Sequence, residues 1–257
     1  MKTFYRLFAH EFGQLRGITL LLAAIAMGGP LLLLRLELKN QGSRPVPRYE
    51  DLFDASGSAA LYGSLLVLTL LSFLLVFYSA YWRGKSIYTS LTLPAPREML
   101  YASKLLALLT SLLAVYSAEL IGIRLGYAYS LDKLQAIGVE HPMNNGLFLA
   151  FLRGDFLRFL LPHDPTRLLS NAAILLAVTS GILYAVLCER SRKGWGALPL
   201  TVGAITILRV LAYRLSESDR VWELSGRSLL GSSLFLLALT IWFIWRGIRF
   251  YQRGAIA

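Results

Sequence analysis

The sequence predicts an all-α, polytopic membrane protein with six transmembrane helices. Two observations carry this. Of its 257 residues, 56% are hydrophobic and only 16% charged, against roughly 25% charged in a soluble domain. The apolar residues also gather into six runs of about the 20 residues that a helix needs to cross a bilayer. A lone cysteine excludes a disulfide framework and any multi-thiolate metal site. The net charge of +11 does not point to nucleic acid, because the basic residues are spread between the apolar runs rather than collected on one polar segment.

The spans fall at about 17–36, 59–82, 104–129, 170–188, 194–213 and 228–246. They are helices, because backbone groups in lipid must bond within the segment. Unbroken runs such as Leu65–Val76 lack the alternation of a membrane β-strand. The whole chain reads as one transmembrane domain. Six spans put both termini on one side. Lys and Arg divide evenly in number between the two sides, but the side with the termini has the shorter segments and the higher density. That assigns it to the cytoplasm. The first apolar run is longer than a signal-peptide core and no small-residue cleavage site follows it, so it reads as a retained span.

Residues 1–16 precede the first span as an amphipathic interfacial helix. Phe4, Phe8, Phe12 and Leu15 share one stripe, and Lys2, Arg6, His10 and Gln14 another. Residues 83–103 are the main cytoplasmic loop. Ile87, Tyr88, Leu91 and Leu93 give a short helix an apolar side, and Pro94 and Pro96 stop it. A proline-stopped helix clamped between two spans can act as a lever. Gly84-Lys85-Ser86 resembles the end of a phosphate-binding loop. Ser79 stands where that motif needs a glycine, and a membrane helix precedes it instead of a strand, so nucleotide binding here is rejected.

On the other side, Leu36–Ser58 reads as a polar loop. Between the third and fourth spans, Gly146–Leu161 is apolar but too short and too charged to cross; Leu149, Leu152, Phe156 and Phe159 make it an outer interfacial helix.

Away from their ends, the spans carry three charged residues: Glu119 and Arg124 in the third and Arg209 in the fifth. A charge at mid-membrane costs about 2.5–3.5 kcal/mol on insertion scales and normally faces protein or water. Two uses fit Glu119: an intramembrane ion pair with Arg124 or Arg209, or a place on a translocation path. Gly122 and Gly126 form a small-xxx-small pair that lets helices approach closely. No nucleophile turn, H-E-x-x-H or cluster of Asp residues is present, and Asp132, Asp155 and Asp164 are scattered, so catalysis has no candidate constellation.

The chain resembles the transmembrane subunit of type-2 ABC exporters, the six-span ABC permeases, over nearly its whole length. The likeness rests on Glu11 in the amphipathic start and on Tyr88, Leu91, Leu93, Pro94, Arg97, Ser103 and Lys104, which are similar to that family's Y-x-x-L-x-L-P-x-x-R…S-K coupling segment. The resemblance implies an ATP-driven exporter permease in a bacterial plasma membrane. Coupling to the ATPase would use Lys85, Tyr88, Leu91, Leu93, Pro94 and Arg97. It also implies cytoplasmic ABC ATPase subunits as partners, a second permease subunit (the same or a homologous chain), and membrane lipid around the assembly. No cofactor belongs to this chain; ATP and Mg would sit in the partner ATPase. The alternative is a membrane subunit of a sensing or immunity complex that sequesters a peptide or antibiotic.

Overall fold

The computed structural model describes residues 2–41, 48–82, 96–136, 146–190, 196–216 and 225–252, and within these stretches the chain is almost entirely helical. In chain order the helices are α1 (Lys2–Gln41), α2 (Tyr49–Ala55), α3 (Ser58–Trp82), α4 (Arg97–Ala136), α5 (Gly146–Arg153), α6 (Asp155–Leu160), α7 (Pro165–Arg190), α8 (Ala197–Ser216) and α9 (Ser225–Gln252). Six of them, α1, α3, α4, α7, α8 and α9, are long and apolar enough to cross a membrane. The all-α, multi-pass expectation is met.

Several boundaries differ from the sequence reading. The amphipathic start and the first span form one unbroken helix, α1. The residue at the expected joint is Gly17, whose missing side chain faces open space. A single interior glycine costs about 1 kcal/mol, too little to break a helix anchored at both ends. The stretch read as a polar loop after the first span is helical through Gln41, and it contains α2 further on. Gly57, at φ 73°, makes the turn from α2 into α3, a conformation that favours glycine. The stretch Gly146–Leu161, expected as one interfacial helix, is two helices, α5 and α6. The chain is extended at Gly154 between them, where a Cβ would lie 3.0 Å from the Ala150 carbonyl oxygen.

α4 starts directly after Pro96, whose carbonyl accepts from the Met99 amide at 2.9 Å. Its first two turns, expected within the loop, are helical. Asp164 caps α7: its carboxylate accepts from the Thr166 amide at 3.2 Å and hydroxyl at 2.6 Å, with Pro165 at the first helical position.

The chain divides into two compact units. The first comprises residues 1–16, 71–111 and 164–257. Its core includes Ala173, Ala177 and Leu236 of α7 and α9, and the Tyr184 ring lies 4.9 Å from that of Phe243. Within it α7 is the most buried span, at 56% of its apolar window, and α8 the least, at 11%. α8 presents Leu198, Ile205 and Leu208 outward, the surface that lipid solvates.

The second unit comprises residues 17–70 and 112–163. Leu22, Ala26 and Leu34 of α1, Tyr49 and Phe53 of α2, Tyr62 of α3, and Val115 and Ile123 of α4 form its core with α5 and α6. Phe53, Tyr62 and Phe156 stack in near-parallel planes, with centroids 6.0–6.2 Å apart. Such stacks contribute about 0.5–1.5 kcal/mol per pair beyond their buried area.

Candidate functional site on α4

α4 carries most of the residues that the sequence singles out within the described part of the chain. They fall into two groups, one in each unit.

In the first unit, the buried stripe of α1 is Leu7, Glu11 and Leu15, spaced four apart along one face. The phenylalanine stripe beside it is half-buried, with Phe8 and Phe12 stacked at 5.9 Å. An acid therefore sits in the middle of the most buried stripe. Lys104 of α4 answers it. Its Nζ is 2.8 Å from each Glu11 carboxylate oxygen, with both side chains nearly inaccessible. The same ammonium lies 5.8 Å from the Phe77 ring centroid of α3. Removing one partner of a buried pair costs about 3–5 kcal/mol, because the other charge is left uncompensated.

One turn and more before Lys104, the start of α4 is fastened to the end of α9. Arg97 Nη1 donates to the carbonyls of Tyr251 and Gln252 at 3.2 and 2.9 Å, satisfying acceptors that the last turn of a helix leaves open. The Gln252 amide donates to Glu98 at 2.7 Å. Tyr101 packs edge-on to Tyr251 and fills the space over Gly247, where a Cβ would meet its ring at 2.6 Å.

In the second unit, Glu119 is 3% exposed. The Tyr62 hydroxyl donates to its backbone carbonyl at 3.1 Å, and Tyr49 donates to the Ile123 carbonyl one turn on at 2.9 Å. Burial pushes the Tyr49 phenol up, and Tyr127 adds to the shift. Gly122 and Gly126 lie on this face. A Cβ on Gly122 would come within 2.7 Å of both the Ala26 carbonyl oxygen and the Tyr62 hydroxyl; one on Gly126 would meet Leu34 at 2.7 Å. Pro30 explains the first approach. It sits inside α1 and has no N–H to offer the Ala26 carbonyl four residues back. The α4 backbone comes up against that freed oxygen. The glycine pair thus packs α4 against α1 within this chain.

The expected ion pairs of Glu119 come out differently. Among the described residues, the ion pairs are Glu11–Lys104, Glu50–Arg153 and Asp155–Arg158, and Glu119–Arg124 is not one of them. Five residues on a helix separate two side chains by about 140° around the axis. Glu119 points inward and Arg124 is exposed. Arg209 belongs to the other unit, on the exposed side of α8. Lys85, Tyr88, Leu91, Leu93 and Pro94 lie outside the described residues, so of the expected ATPase-coupling set only Arg97 has a structural setting.

Outside the spans, Asp54 stands within electrostatic reach of Glu50, Asp51 and Asp155. Partial desolvation pushes the mostly exposed Asp54 carboxyl up from the ordinary carboxylate value, and Asp155, Asp51 and Glu50 raise it further. No group of three or more His, Cys, Asp or Glu side chains among the described residues is arranged to hold a metal.

Sequence reasoning missed the partnership of Glu11 with Lys104, although a signal was present. Glu11 interrupts an i, i+4 apolar stripe, and Lys104 stands at the very edge of a span. Comparison with family models, curated proteins and solved structures finds no match for this chain.

Proposed function

We propose that this chain is the membrane-spanning permease subunit of an ATP-driven ABC exporter in a bacterial plasma membrane. Both termini are cytoplasmic, and the 83–104 loop docks on a separate ATPase subunit that holds ATP and Mg. A second permease subunit completes the pathway, with Glu119 as a polar station along it. The supporting observation is the Glu11–Lys104 pair. The resemblance singles out Glu11 in the amphipathic start and Lys104 at the end of the coupling segment, 93 positions apart. The two are bonded at 2.8 Å in a buried setting. The loop therefore feeds directly into a helix keyed to α1, and a push on the loop reaches both spans. A transporter needs such a link, because ATP can shift a two-state equilibrium only through contacts that differ between the states.

The test is to search the genes beside this chain for an ATPase with a phosphate-binding loop, co-express the two, and measure ATP hydrolysis in proteoliposomes. The intact pair should hydrolyse ATP faster than the ATPase alone, and deletion of Ile87–Leu93 should abolish that stimulation. A complex that assembles and hydrolyses ATP equally well without those residues overturns the coupling assignment. Hydrolysis stimulated by cargo that is never moved across the vesicle would point to the sequestering alternative.

A further inference from the structure

We propose that the last two turns of α9 bind the phosphate headgroup of an anionic phospholipid, in the leaflet at the carboxyl-terminal end of that helix. The uncharged stretch Leu229–Trp245 rises about 25 Å at roughly 1.5 Å per residue, close to the hydrocarbon thickness of a bilayer. Arg246 and Arg249 follow it at once and so stand at headgroup level.

Each guanidinium there is held without a carboxylate. Arg249 lies over the Trp245 ring at 3.8 Å. Arg246 lies over Phe250 at 5.9 Å. Arg97 reaches the same helix end through the carbonyls of Tyr251 and Gln252. Among the described residues none of the three pairs with an acid; the nearby Glu98 accepts from the Gln252 amide instead. α9 itself has no acidic residue.

An aromatic face under a guanidinium fixes its position and attracts its charge, but leaves the in-plane N–H donors unspent. Those donors suit two oxygens of a phosphate. Trp245 is 46% exposed and Trp242 36%, so the site opens sideways onto lipid, where acyl chains can pack on the indoles. This favours a lipid headgroup over free phosphate, and an anionic headgroup over a zwitterionic one that brings its own cation.

The experiment uses the full chain with Trp245 as its only tryptophan, the others changed to Phe, in dioleoylphosphatidylcholine vesicles. Quenching by brominated phosphatidylglycerol is compared with quenching by brominated phosphatidylcholine. One basic contact is expected to favour the anionic lipid about fivefold at this site. In the R246Q/R249Q variant the preference should fall to about one, and added inorganic phosphate should leave the wild-type quenching unchanged. No preference in the wild type, or a preference that survives R246Q/R249Q, overturns the site; displacement by inorganic phosphate overturns the lipid assignment. Should the single-tryptophan chain fail to fold, native mass spectrometry of the chain with all its tryptophans decides. Phosphatidylglycerol adducts should outlast phosphatidylcholine adducts and be lost in R246Q/R249Q, and equal retention overturns the proposal.

Discussion

Glu11 and Glu119 are both buried acids in membrane helices, 5% and 3% exposed, yet the two units treat them in opposite ways. Glu11 has an ammonium on both oxygens. Glu119 has no ion partner among the described residues, and its surroundings are tyrosine hydroxyls spent on backbone carbonyls. A buried charge pair fixes the register of two helices, since a slip by one residue strands both charges. A buried acid without a cation fixes nothing and leaves a polar spot that something else must meet. The first unit's acid therefore joins two helices, and the second unit's is the one proposed for the translocation path.

The largest expected effect breaks the paired side. Glu11→Ala or Lys104→Met alone should cost about 3–5 kcal/mol, and the double variant Glu11→Leu/Lys104→Met should recover most of the loss. Denaturant titration in mixed micelles measures all three; equal losses in single and double variants would mean that the charges do not act as a pair. Next, Gly122→Val forces a side chain against the Ala26 carbonyl and the Tyr62 hydroxyl. Overpacking of that kind costs about 1–3 kcal/mol, read as a lower melting temperature. A melting temperature equal to wild type would show that α1 and α4 can part there without cost.

Glu119→Gln sharpens the comparison from the other side. It strands no opposite charge, so stability should change by less than about 1 kcal/mol, while transport falls. A loss of several kcal/mol would reveal an ion partner and return Glu119 to the structural class. Transport at the wild-type rate in a folded E119Q protein would remove it from the path.

The smallest effect is in the acidic group around Asp54. Its folded pKa lies above the ordinary carboxylate value, so the folded state binds the proton more tightly than the unfolded one. The stabilisation is complete below the ordinary value and is lost as pH rises through the raised one. Asp54→Asn should flatten that dependence in a melting series across mildly acidic pH, slightly, because the carboxyl is largely solvated.

The all-helical class, the six spans and their approximate limits could be read from composition and run length, because lipid allows few solutions for an apolar run of that length. The small-xxx-small pair at Gly122 and Gly126 was also visible. Its partner was not, since Pro30 lies some 90 positions earlier and nothing in the local pattern ties it to Gly122. From the sequence, Arg97 belongs to the coupling set of the 83–103 loop. In the fold its guanidinium serves the carbonyls at the far end of the chain, which no local periodicity could disclose.

Sequence alone decided what must lie in the membrane, since the cost of exposing apolar side chains to water, or of leaving backbone groups unbonded in lipid, is summed over neighbouring residues and needs no knowledge of the rest of the chain. Tertiary structure alone decided which charge meets which. That choice depends on side chains tens of residues apart, and on which face of each helix turns inward once the helices pack.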